Sequence, residues 1–453
     1  MNYSDTDLAA DDLHTVELHS SLSDPALSSM NFLNEVSNRF PDAISFAAGR
    51  PSEKFFEVDS VHRYLDLFCQ YLRDDLGYDE EQVRRTLFQY GRTKGVITEL
   101  IAQSLAIDER IEVDPESIVV TVGCQEALYL CLRALRADDR DVVLAVFPAY
   151  VGLIGAARLV DMTVLPVREG PGGVDLDDLV SVVRKARASG LRPRAFYLVP
   201  DFSNPSGTTL STDDRHTLLH IAAEHQLLLL EDNPYGLFHE QGDRQPTLKS
   251  LDRGRRVVYL GSFAKTGMPG VRVGYAVADQ TVVDHRGGRA LFADELSKIK
   301  SMLTVNTSPL AQAVAGGKLL EHGCSLVRAN VREAENYRDN RRRVLDGLAK
   351  RFPDSRIESP GVSWNTPSGG FFVVVTVPFQ VDDDLLEYSA RQYGVLWTPM
   401  CHFYDGEGGR NQLRLACSFL APELIESGLD RLAALIADRR EREAPGGNGA
   451  ETV

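Results

Sequence analysis

Lys265 is the residue of this chain best placed for covalent chemistry. It ends the run Gly261-Ser262-Phe263-Ala264-Lys265 and is followed by Pro269-Gly270-Val271-Arg272-Val273-Gly274-Tyr275. A lysine among small residues just past an apolar run is poor core material and suits a reactive amine on a tight loop. Burial and a neighbouring cation lower its pKa and make it a Schiff-base nucleophile. Ser262 and Arg272 flank it as ligands for an anion. A second cluster, Leu229-Leu230-Glu231-Asp232-Asn233-Pro234-Tyr235, ends another apolar run with two acids. A carboxylate there can hold a heterocyclic ring nitrogen protonated. Asn204-Pro205, between Val199 and Thr208, offers an amide that can donate to a phenolate oxygen, although a plain turn explains the pair as well. In Thr121-Val122-Gly123-Cys124-Gln125-Glu126-Ala127, the free N–H groups of a helix start form an anion site. With a single glycine it is neither a Rossmann nor a P-loop fingerprint. Pro148-Ala149-Tyr150 follows the next apolar run, where a tyrosine ring can stack on a flat ligand or pack in the core.

All five clusters follow short apolar runs, and those runs must position them. Ile118 to Val122, Val142 to Phe147, Ala195 to Val199, Leu227 to Leu230 and Val257 to Leu260 read as buried strands. Leu128, Cys131, Leu132 and Leu135 repeat at helical spacing, as do Leu218, Leu219, Ala222 and Ala223. Alternating strands and helices of this kind predict an α/β fold with a mostly parallel central sheet. Ligands bind such sheets beyond the carboxyl ends of the strands. After about residue 320 a long charged helix, Leu326 to Arg351, precedes a strand-like Phe371 to Val377 and predicts a smaller α+β domain. Its Arg341-Arg342-Arg343 run reads as a solvated face. Asp24-Pro25 reads as a cap and first helical residue of a helix towards Arg39, with Leu27, Met30, Leu33 and Val36 on one face. The expected divisions are a flexible arm over 1–22, an N-terminal helix and substrate-side segment packing with the small domain over 23–50, a large domain over 51–319, a small C-terminal domain over 320–440 and a disordered tail over 441–453.

The chain has 453 residues and a formal charge of −16 at pH 7. So acidic a balance disfavours nucleic acid and anionic membranes, while leaving room for a local anion pocket. The six cysteines form no CxxC pair and stand at no zinc-ligand spacing with histidine, so no metal site is expected. They read as reduced thiols of a cytoplasmic protein. No apolar run is long enough to span a bilayer.

Taken in order, the five motifs resemble the fold-type I pyridoxal-phosphate aminotransferases of class I and II. The resemblance runs from about Ile44 to about Ser418 and is nearest the kynurenine/2-aminoadipate and aromatic aminotransferase branch. It implies pyridoxal 5′-phosphate as cofactor and a ping-pong Schiff-base transfer of an amino group between an amino acid and a 2-oxo acid. It makes Lys265 the lysine that bonds the cofactor and shuttles the proton, and Asp232 the partner of the ring nitrogen. Asn204 and Tyr235 would bond the ring's phenolic oxygen, and Tyr150 would stack on the ring. Gly123, Cys124, Gln125, Ser262 and Arg272 would hold the phosphate. Arg414, in Asn411-Gln412-Leu413-Arg414-Leu415-Ala416, matches the arginine that clamps the substrate α-carboxylate, where a bidentate guanidinium fits. Gln89-Tyr90-Gly91 resembles the segment whose tyrosine reaches the partner subunit's phosphate, implying a homodimer with shared sites. Three positions depart from the family pattern. Ala264 stands where a second serine is usual, Cys124 where serine is common, and Met400 where glycine is usual. Cys124 is expected to be a small packing residue.

The substrate side is Ile44 to Pro51, with Gly49 and Arg50, and its wording resembles aminotransferases of actinobacterial antibiotic pathways, the dihydroxyphenylglycine aminotransferases among them. Phe55 or Phe56, Arg50, Phe403 and Tyr404 are the candidate wall of the side-chain pocket, with Lys54, Arg92 and Lys94 as nearby cations. An aromatic or arylglycine-type substrate is expected. Elimination, decarboxylation or oxidation on the same fold stays open, though Arg414 argues against loss of the carboxylate. A cofactor-binding regulatory module needs a DNA-reading domain, and the roughly 40 residues ahead of the fold are acidic.

Overall fold

The computed structural model describes residues 13–170, 172–239, 244–353 and 361–443. The expected tail from 444 onward and the first twelve residues of the expected arm lie outside the described residues. The rest of that arm carries two short 3-10 turns, Thr15–Glu17 and Ser20–Ser23. Helix α1 then spans Pro25–Arg39. Pro25 opens it, where a missing N–H costs nothing.

The large sheet is built from β1 (Ile118–Val122), β2 (Asp141–Phe147), β3 (Thr163–Arg168), β4 (Arg192–Leu198), β5 (Leu228–Asp232), β6 (Val257–Ser262) and β7 (Val273–Val277). Its seven strands lie in the order β1-β7-β6-β5-β4-β2-β3. β7 is antiparallel to both of its neighbours and the other pairs are parallel. The five expected strands are therefore all present. Helices cover both faces, which is why Val142 to Ala145 read as an unbroken apolar run and are fully buried. Two of these helices matter for the site: α2 (Cys124–Leu135), which follows β1, and α3 (Val151–Leu159), which follows β2. The antiparallel β7 starts at the edge where β6 ends, and this brings Arg272 back beside Lys265.

The second core lies between a four-stranded antiparallel sheet and the helices Val331–Arg351 and Pro422–Glu443. Its central strands are Phe372–Thr376 and Gln412–Ala416. The N-terminal segment joins this core: Ile44 and Ser45 pair in parallel with Val395 and Leu396, and Val36 and Phe46 are buried there. Two expectations are corrected. The charged helix is not continuous from Leu326; a short helix, Leu326–Ala329, breaks off at Asn330. The carboxylate of Asp108, near the end of the helix Thr98–Glu109, accepts the N–H groups of Leu326 and Val327 at 2.6 and 3.3 Å and so caps the start of that short helix. The arginine run is not wholly solvated either, since Arg341 is buried while Arg342 faces solvent and pairs with Asp339. All six cysteines are free.

Candidate active site

The carboxyl ends of β1, β2, β4, β5 and β6 open into a cavity of about 700 Å³ between the two cores. Lys265 reaches it from a one-turn helix, Phe263–Thr266, whose start is capped by Ser262 Oγ accepting from the Ala264 N–H. Its Nζ donates to the carbonyl of Gly49 at 2.7 Å. Burial, with Arg414, Arg272 and Arg50 adding positive charge, pushes the amine down to about 8, and Asp232 only partly opposes this. At neutral pH a fraction on the order of a tenth of such an amine is uncharged, far above the share of a solvated lysine.

Asp232 ends β5. Tyr197 on the neighbouring β4 donates to its Oδ2 at 2.7 Å, and the Cys124 thiol to its Oδ1 at 3.4 Å. Burial pushes the carboxyl up to about 6, and the two donors hold it from rising further. Cys124 is thus more than the packing residue expected from the sequence. Its thiol is pushed well above its usual range by burial and by Asp232, so it stays protonated and donates.

Arg414 lies on the central strand of the small sheet. Its guanidinium donates to Asn204 Oδ1, to the Ala47 carbonyl at 3.0 Å and to Thr398 Oγ1 at 3.3 Å. It is sandwiched between the rings of Phe372 and Phe403, 4.3 and 4.8 Å from their centroids. It has no carboxylate partner among the described residues, its Nε is buried without a hydrogen bond, and burial pushes it down to about 10. A buried cation lacking an acid is a site that awaits a carboxylate.

A second anion cradle lies at the start of α2. Gly123 has φ 73°, a backbone state that favours glycine, and a Cβ built on it would stand 2.4 Å from Arg272 Nη2. Arg272 makes no ion pair among the described residues. The helix start, Ser262 and Arg272 therefore converge with unspent positive charge, as a phosphate requires.

Of the residues expected from the sequence, Gly49, Arg50, Cys124, Gln125, Tyr150 and Asn204 all line the cavity. So do Asp232, Tyr235, Ser262, Lys265, Arg272 and Arg414. Tyr235 is buried and hydrogen-bonded to Asn204, and burial raises its phenol and that of Tyr150 far above the usual range, which keeps both as neutral donors. Tyr90 is not brought in; it is 84% exposed, away from this chain's own cavity. Ala264 lines the cavity with a methyl where the family pattern has a hydroxyl.

The expected pocket wall needs correction. Phe55 packs under Lys54 and Arg332, Phe56 faces solvent, and neither lines the cavity. Phe403 does line it, whereas Tyr404 packs against the large core. Lys54 bonds Asn336, and Arg92 and Lys94 are held by Glu116, so none of them faces the site. Sequence reasoning missed Tyr197, Phe372 and Leu27. The first two sit within apolar strands and read as core, while Leu27 was placed only on the apolar face of its helix.

Residues 74–432 match the family model described as aminotransferase class I and II. The chain belongs to the class I and II aminotransferases. It is a pyridoxal 5′-phosphate enzyme, and both anion cradles, the central amine and the acid at the ring end fit that cofactor and an amino-acid substrate. Among this aminotransferase's relatives, the (S)-3,5-dihydroxyphenylglycine transaminase of Amycolatopsis orientalis is 57% identical over 93% of this chain and 94% of its own length. A multiple substrate aminotransferase from Thermococcus profundus superposes with a TM-score of 0.76 at 28% identity, over 92% of this chain and 96% of its own. The α-aminoadipate aminotransferase of Thermus thermophilus, in complex with N-(5′-phosphopyridoxyl)-L-leucine, gives 0.75 at 28% identity over 94% and 99%.

Proposed function

We propose that this aminotransferase acts, as a homodimer, on an arylglycine of the dihydroxyphenylglycine type and the matching aryl 2-oxo acid. The observation that carries the reading is the 57% identity to the dihydroxyphenylglycine transaminase, which extends over 93% of the chain. A biosynthetic place in an antibiotic pathway accords with it.

In this reading Arg414 binds the α-carboxylate shared by both substrates. Phe372 and Phe403 keep its guanidinium flat against the cavity, and Asn204 orients one edge of it. Arg272, Ser262 and the α2 start would hold the cofactor phosphate. Asp232, kept in line by Tyr197 and Cys124, would pair with the ring nitrogen, and Tyr150 would stack on the ring. The bound cofactor supplies an electron sink that eases removal of the Cα proton and stores the amino group between half-reactions. Lys265 carries that proton on Nζ, which its lowered pKa suits to taking and returning protons near neutral pH.

The dimer reading rests on a ridge of exposed apolar side chains. Phe88 and Met302 are 68% and 86% exposed, beside Tyr90 and Leu303 in sequence. Gly91 lies next to Asn306, which brings the two stretches together. Val305 takes φ 64° there, an uncommon state for a β-branched residue. Exposed apolar side chains gathered in this way support an interface.

Measuring kcat/KM for (S)-3,5-dihydroxyphenylglycine, phenylalanine and leucine, each against 2-oxoglutarate and pyruvate, tests the substrate. Preference for the arylglycine by tenfold or more is expected. Leucine ahead by tenfold would refute it.

A further inference from the structure

We propose that Gly155 sets the side-chain specificity of the reaction by leaving open an arm of the cavity that receives the substrate's aromatic ring. The inference rests on the arylglycine reading above.

The cavity does not end at the reacting groups. It runs on along α3, past Gly152, Gly155, Ala156 and Leu159, with Leu27 of α1 also lining it. These α3 positions recur at three- and four-residue spacing, so one face of the helix forms the wall. Two of them are glycines, and they differ in kind. A Cβ on Gly152 would lie 2.3 Å from the Tyr150 ring and 2.4 Å from Gln125 Oε1, so packing alone requires glycine there. A Cβ on Gly155 would meet nothing within 4 Å. Its backbone is ordinary helix, outside the left-handed state that would exclude a side chain. Alanine at such a position is the better helix former. Neither packing nor backbone therefore accounts for the glycine. What accounts for it is the space it leaves in a cavity that must hold a substrate.

The shape of the arm states what kind of side chain it takes. Leu27, Ala156 and Leu159 offer an apolar surface to the body of a ring. The far end opens to water at Leu159, which is 50% exposed, so polar substituents on the ring's edge keep their hydration there. Next to it Arg158 clamps the mouth, donating to Asp24 ahead of α1 and to Asp405, each at 2.8 Å. A branched side chain at position 155 would enter the cavity from α3, a different element from those that carry Lys265, Asp232 and Arg414.

The test uses holoenzyme of wild type, Gly155→Ala and Gly155→Leu. Each is assayed with (S)-3,5-dihydroxyphenylglycine and with alanine, and is titrated with 3,5-dihydroxyphenylacetate and with propionate. For Gly155→Leu, kcat/KM for the ring substrate and affinity for the ring acid should fall 10- to 200-fold, the range for excluding a hydrophobic group. Values for alanine and propionate should stay within twofold, and the thermal midpoint should not fall below wild type. Gly155→Ala, a milder change that keeps the fold, should shift the ring ligands alone by about threefold. Unchanged discrimination in both variants would overturn the proposal, as would equal losses on ring and small ligands. A wild type that prefers leucine to the arylglycine would instead refute the substrate reading beneath it.

Discussion

Lys265, Arg50, Arg272 and Arg414 are four cations lining one cavity that has, among the described residues, a single acid, Asp232, and the imbalance has measurable effects on the protein without cofactor. Lys265 has a folded pKa of about 8 against 10.5 when solvated. Between those values the unfolded chain holds more protons than the folded one, so stability rises with pH across the window. Below about pH 8 the folded state bears the full penalty of a buried cation, roughly 3 kcal/mol. Lys265→Met should therefore stabilise the cofactor-free protein to urea at pH 7, and its advantage should shrink as pH climbs from 8 to 10.5. Asp232, raised to about 6 from 3.8, works in the opposite sense and loses stability as pH rises through that range. Tyr197 is the donor that limits the rise. Tyr197→Phe should push the carboxyl higher and weaken cofactor binding about tenfold, in line with a hydrogen bond to a charged group of 1.5–3 kcal/mol. Titrating the visible cofactor band against pH measures both effects. None of this was legible in the chain: Tyr197 lies mid-strand among apolar residues, and only the register that places β4 beside β5 reveals what its hydroxyl meets.

The elements that converge on the cavity differ in how openly the sequence announces them. Strands were easy to read because helices bury both faces of a parallel sheet and leave continuous apolar runs. The five catalytic loops were readable for the same reason, each being the polar or glycine-bearing stretch just past such a run. The separate short helix Leu326–Ala329 was not, since the carboxylate that caps its start is Asp108, over two hundred residues earlier in the chain. Residues 44–50 are the clearest case of an element defined only by its contacts. They pair with Val395 and Leu396, offer the Ala47 carbonyl to Arg414 and the Gly49 carbonyl to Lys265, and so tie both cores to the reacting groups. A Cβ on Gly49 would stand 2.5 Å from Phe372 Cζ, the ring on which Arg414 stacks. Gly49→Ala should raise KM for every 2-oxo acid tested by about tenfold or more while cofactor content stays near that of wild type, since a misplaced guanidinium weakens carboxylate binding. Parallel steady-state kinetics and cofactor titration check it.

At the scale of the whole molecule, the net charge of −16 and the apolar ridge point in different directions. Like charge keeps copies apart in general, so association must be local and specific. The ridge around Phe88, Tyr90 and Met302 supplies a place for it. If the proposed dimer shares its sites, Tyr90→Asp should shift the protein towards monomer in light scattering and lower activity by at least tenfold, because Tyr90 is exposed and does not line its own cavity. A fully active monomer would exclude shared sites. Family and cofactor were legible from five motifs in order, because the chemistry dictates their residue types. The pocket wall was legible only in part: Arg50 and Phe403 line the cavity, whereas Phe55 and Phe56, near Gly49 in sequence, do not.

The most direct measurement is borohydride reduction of the holoenzyme followed by peptide mapping. Reduction fixes the cofactor to whichever lysine holds it. The account predicts a single labelled peptide carrying the cofactor on Lys265, and no label in Lys265→Ala. A label on any other lysine of the wild type, or an unlabelled protein that still transfers amino groups, would contradict it.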